Sequence, residues 1–150
     1  MKKIAINTSY DGEFLLSHAA IMEYAKRKGI NVWGYVNEED CNCDNIDYNK
    51  YVEFVPTENN YDDECRIHYF TKPLENNVWD GRNNEDYYHP WNIARDDTVL
   101  IEILEEMGDK SVLPICKLKI IEIPDDVKWY IGGNSEFGRE EVVEEHRTWK

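Results

Sequence analysis

The chain has 150 residues, with 17 Lys or Arg against 31 Asp or Glu, a formal charge of −14. Apolar residues make up 41% and aromatics 13%, so the negative charge belongs to a folded body and not to a disordered acidic tail. That length suits a single domain over 1–150, the charge argues against a duplex-binding surface, and no apolar run nears the ~18 residues of a membrane span.

The first residues, Met1-Lys2-Lys3-Ile4-Ala5-Ile6-Asn7, turn polar too soon for a secretion signal, and a cytoplasmic address follows as the expectation. Lys3–Asn7 reads as a strand, and Thr8–Glu13 as a loop in which Gly12 gives conformational freedom. Leu16, Ala19, Ala20 and Tyr24 fall at helical spacing, with Lys26-Arg27-Lys28 suiting the negative end of the dipole before Gly29. Ile30–Val36 alternates like a second strand, which makes the opening βαβ-like.

Residues 37–66 hold ten acids against two bases, −8 of the total charge, and only Tyr51–Val55 reads as a strand there. Residues 66–95 mix aromatics with Asn, Asp and Gly and read as irregular, with one short strand at Ile67–Phe70. Asp96 or Asp97 can cap a helix from Thr98 to Met107, with Val99, Leu100, Ile103, Leu104 and Met107 inward and Gly108 as its stop. Lys117–Ile123 and Val127–Ile131 read as strands, and Glu141–Trp149 as a hairpin partner, with a closing helix as the rival. The expected fold is α+β: one mixed sheet of about five strands with two helices packed on it.

Cys41-Asn42-Cys43 leaves one residue between thiols, short of a zinc knuckle, so Cys41, Cys43, Cys65 and Cys116 read as free thiols. The alternative is a metal held by the first three with a histidine such as His68. Asp62-Asp63-Glu64 lacks the spacing of a calcium loop and reads as a solvated charge run. Neither a metal nor a cofactor is expected.

Ile4-Ala5-Ile6-Asn7-Thr8, Tyr10-Asp11-Gly12-Glu13-Phe14 and Leu16-Ser17 before a helix resemble the opening of a family of small acidic phage and prophage proteins. There the segment commonly reads isoleucine-asparagine, then tyrosine-glycine-glycine-phenylalanine, then leucine-serine. Ile93-Ala94-Arg95-Asp96-Asp97, Lys119–Val127 and His146-Arg147-Thr148-Trp149 continue the likeness, while residues 37–90 are unmatched. Asp11 departs from the family's glycine, and this chain adds residues between Ile131 and Glu141. The family has no assigned reaction. The resemblance implies an accessory protein of the bacterial cytoplasm, of the kind that counters host immunity by inhibiting a protein or soaking up a signalling nucleotide.

The first strand–loop–helix turn is the leading candidate site. A helix start offers N–H groups and a positive dipole end to an anion. Asn7, Thr8, Ser9 and Ser17 add polar groups, Gly12 permits close approach, and Tyr10 and Phe14 offer faces for a base. Residues 2–30 carry five bases against three acids, a local excess of +2. The plain alternative is a βα turn in which Ser17 caps the helix and Phe14 enters the core. Arg95, His146 and Arg147 are further phosphate candidates, although on a strand His146 and Arg147 point to opposite faces.

No nucleophile elbow, zinc-binding His-Glu pair or repeated His-x-Thr is present among His18, His68, His89 and His146. The reading is therefore a non-catalytic binding protein that sequesters a small phosphorylated signal. The runner-up is an acidic, nucleic-acid-mimic-like inhibitor of a basic host protein, with Tyr48, Tyr51, Phe54, Tyr61, Tyr69 and Phe70 as anchors; a small hydrolase using a histidine comes third. A homo-oligomer would suit a chain too small to enclose a large ligand.

Overall fold

The computed structural model describes residues 1–10, 12–37, 50–55, 66–79, 84–133 and 139–145. Asp11, Cys41, Cys43, Cys65, the Asp62–Glu64 run and the His146–Trp149 terminus lie outside the described residues. The fold is α+β, and among the described residues every strand pairing is antiparallel. The chain divides into two compact units, Met1–Ala20 with Ile93–Lys150, and Ile21–Asn92. No helix among the described residues is long and apolar enough to cross a membrane.

In the first unit, strand β1 (Lys2–Asn7) pairs with β6 (Leu118–Ile123) from Lys2↔Ile123 to Asn7↔Leu118. Ile4, Ala5 and Ile6 are buried, while Lys119 and Glu122 on β6 are exposed. Helix α2 (Thr98–Met107) matches its expected span because both ends are set by local chemistry. Asp97 Oδ1 accepts from Val99 N at 2.9 Å and Leu100 N at 3.1 Å, and Gly108 at φ 61° leaves the helix. Its inner face is Leu100, Ile101, Ile103 and Leu104; Val99 and Met107 are only half-buried. Strands β7 (Trp129–Gly133) and β8 (Glu140–Glu144) form the C-terminal hairpin, the expected arrangement over its helical rival.

In the second unit, β2 (Trp33–Asn37) lies between β3 (Tyr51–Glu53) and β4 (His68–Phe70), and β5 (Tyr87–Tyr88) extends the sheet beyond β4. Helix α1 (His18–Arg27) starts in the first unit and ends in the second, where Gly29 at φ 72° turns the chain and Ile30 N bonds to Ala25 O at 2.8 Å. The core is aromatic: Tyr35, Tyr51 and Phe70 are buried, with Trp33, Leu74, Trp79 and Tyr87 packed on them.

Two expectations about the sheet are corrected. The strands form three antiparallel sheets among the described residues, not one mixed sheet. Nor do β1 and β2 make a βαβ pair, since β1 joins β6 and β2 joins β3 and β4. The physical reason is that parallel strands need cover on both faces, whereas no residue of β6 is fully buried. Within residues 66–95, β5 is a strand the irregular composition concealed.

His68 sits in this aromatic cluster, with Nδ1 2.9 Å from the Tyr87 hydroxyl. Burial pushes its pKa below the ordinary 6.5, and burial lowers His18 in the same way. Below the unfolded value the unfolded chain binds more protons than the folded one, so stability falls as pH drops through that range. Urea midpoints at about pH 7.5 and about pH 5.5 should therefore differ, with the acid sample weaker. His68→Gln should shrink the difference; an unchanged difference would assign it elsewhere.

Candidate functional site

The end of β1 is where the first unit gathers its polar side chains. Asn7 is fully buried and shapes the loop that follows it. Its Oδ1 accepts from Ser9 N at 3.0 Å and from Lys117 N at 2.9 Å, and its Nδ2 donates to Ser9 O at 3.2 Å. This is an Asx turn tied to a second segment. Thr8 donates to the Lys117 carbonyl from its N–H at 2.8 Å and its hydroxyl at 3.2 Å. Gly12 is buried against that same segment, and a Cβ there would fall on the Ile115 carbonyl oxygen. Only glycine permits this approach.

Ser17 caps α1. Its Oγ accepts from Ala20 N at 3.2 Å and donates to Lys110 O at 2.8 Å. Ser17 thus spends its hydroxyl on the backbone, the role the plain βα-turn alternative gives it.

Because β1 is buried from Ile4 to Asn7, the edge that faces away from β6 also needs partners. Arg95 and Glu140 supply them. Ala5 N donates to Arg95 O at 3.0 Å, and Arg95 Nη1 donates to Ala5 O at 3.2 Å. Asn7 N donates to Glu140 Oε1 at 2.8 Å. The guanidinium grips the same carboxylate with both arms, Nη1 to Oε1 at 2.8 Å and Nη2 to Oε2 at 3.0 Å. Its flat face lies over Phe14, 3.7 Å from the ring centroid. One residue before Glu140, Arg139 donates to the Tyr10 hydroxyl, and its guanidinium lies 4.9 Å from the Tyr10 ring centre. Tyr10 remains 57% exposed.

Beside this arrangement a cleft of about 470 Å³ is walled by Ser9, Asp109 and the run Leu113–Lys117. That volume falls among small-molecule sites. Leu113, Pro114 and Ile115 give it an apolar side, Ser9 and Lys117 bring donors, and Asp109 brings an acceptor. Cys116 is a buried free thiol, pushed up in pKa chiefly by burial and also by the Glu140 charge, against a backbone hydrogen bond at Leu15 and the Arg95 charge. It is held in its protonated form, a poor nucleophile.

The structure therefore brings Asn7, Phe14 and Arg95 together, places Tyr10 at their edge through Arg139, and puts Ser9 on the cleft. Thr8, Gly12 and Ser17 build the loop, and His146 and Arg147 lie outside the described residues. Sequence reasoning missed Glu140, Arg139 and the Asp109–Lys117 wall. Glu140 is one acid among 31, and nothing in its neighbours marks it. Among the described residues no group of three His, Cys, Asp or Glu side chains is placed to hold a metal ion. No family model, curated protein or solved structure matches the chain.

Proposed function

We propose that this chain is a non-catalytic binding protein that takes a small phosphorylated ligand into the cleft beside its first loop. In the phage setting that the sequence resemblance implies, the ligand is a nucleotide signal of host defence and the protein withholds it. The cleft carries this reading: its volume is that of a small-molecule site, with Ser9 and Lys117 on its wall, and Tyr10, next in the chain to Ser9, is an exposed ring on which a base can stack. A panel of cyclic di- and trinucleotides and ADP-ribose derivatives tests it by melting shift. A true ligand in hundredfold excess over Kd should add about 2.7 kcal/mol of stability and be recovered unaltered on denaturation. Lys117→Gln should weaken binding about fivefold and Asp109→Asn strengthen it by a similar factor, as expected for exposed charges worth about 1 kcal/mol. No shift with any compound would remove the reading, and altered ligand would make the protein an enzyme.

A second reading, the acidic inhibitor, is favoured by Trp91. It is 62% exposed and meets His89 edge-on at 4.9 Å, and His89 itself lies 4.6 Å from Tyr87. Exposed tryptophan in an acidic unit is an anchor for a basic partner. Trp91→Ala should change stability by no more than about 0.5 kcal/mol. Under this reading it should also abolish salt-sensitive capture of one host protein on beads; unchanged capture would exclude Trp91 as the anchor.

A further inference from the structure

The Arg95 fork, the Asn7 N–H and the Phe14 face form a seat for an anion, and Glu140 already sits in it. Three donors converge on one carboxylate: Arg95 Nη1 and Nη2 at 2.8 and 3.0 Å and Asn7 N at 2.8 Å. The two side chains are 22% and 20% exposed, so the seat is largely desolvated yet still reachable. We propose that Glu140 is an internal stand-in for a phosphoryl group, displaced when an anionic ligand takes the Arg95 fork. This rests on the reading of a phosphorylated ligand and adds how the site is regulated.

Three observations support it. First, a desolvated carboxylate–guanidinium pair comes close to break-even, because desolvation offsets most of the attraction. Exchanging one anion for another therefore costs little, whereas emptying the seat would strand a cation. Second, a phosphoryl group offers the same fork acceptors with an additional oxygen and more charge. Third, Glu140 is the residue best placed to leave. It is the last paired residue of β8 on the turn side, opposite Gly133, which has no side chain to hold it. Its departure would also loosen Arg139 from Tyr10, opening that ring to a ligand's base.

Pyrophosphate is the probe, titrated into the whole chain and into variants by calorimetry. Glu140→Gln keeps an acceptor for Asn7 N while removing the competing charge, and should bind pyrophosphate about tenfold tighter or more. Glu141→Gln makes the same charge change at an exposed neighbour and should leave affinity unchanged. Adding Arg95→Gln to Glu140→Gln should erase the gain. A folded Glu140→Gln that binds no tighter than the parent, or a Glu141→Gln that gains equally, overturns the stand-in. Should Glu140→Gln fail to fold, hydrogen exchange on the parent decides: saturating pyrophosphate must speed exchange at Gly133, Glu140 and Glu141, and no change there overturns the proposal. If Glu140→Gln gains pyrophosphate while the parent ignores the nucleotide panel, the seat stands and the nucleotide reading falls. If the parent binds a nucleotide and Glu140→Gln changes nothing, the reverse holds.

Discussion

Arg95→Ala should lower the free energy of unfolding by about 3 kcal/mol, measured by urea denaturation. The substitution leaves the Glu140 carboxylate without its cation at 20% exposure, strips the Ala5 carbonyl of a donor, and uncovers the Phe14 ring. Breaking one side of a fully buried pair costs about 3–5 kcal/mol, and the residual exposure here places the loss at the lower end. Arg95→Lys should recover only part of it, because an ammonium cannot bond both carboxylate oxygens in the planar fork. A loss under about 1 kcal/mol would mean that the pair behaves like a surface ion pair and that β1 completes its outer edge by other means.

Phe70→Ala should cost about 4 kcal/mol and erase the near-ultraviolet circular dichroism of the second unit. Phe70 is fully buried and packs edge-on to Tyr35, Trp79 and Tyr87 at centroid distances of 5.9, 5.4 and 5.2 Å. Alanine removes the ring that these three share, so the cost includes both a cavity and the oriented aromatic contacts. Phe70→Leu fills most of the space and should lose less than half as much. Equal losses for the two variants would show that ring geometry, not volume, dominates there.

What could be read from the sequence is what local chemistry decides. Helix α2 falls between Asp97 and Gly108 because a carboxylate cap and a positive-φ glycine act within one turn. Ser17 as cap, the basic end of α1 and the terminal hairpin follow for similar reasons. The pairing of β1 with β6 escaped because it joins residues more than a hundred positions apart, which no periodicity encodes. β5 escaped because two residues cannot show alternation. In the candidate site, the chemistry of Asn7, Tyr10, Phe14 and Arg95 marks them in the sequence, yet it does not reveal their burial or partners. The sequence marks Asn7 as a polar candidate but not that its side chain is buried and braces the loop. It marks Arg95 as a phosphate candidate, but the carboxylate that meets it, Glu140, is indistinguishable from its acidic neighbours in a linear chain.

The first unit is assembled from both ends of the chain, and this sets the order of events at the ribosome. Asn7 bonds to Glu140 across 133 positions, so at a translation rate of about 5–20 residues per second β1 waits about 7–27 s for that partner. Meanwhile residues 21–92, whose ladders close among themselves, emerge complete. The nascent Ile4-Ala5-Ile6 segment is therefore open to chaperones until Leu118–Ile123 emerges to pair with it.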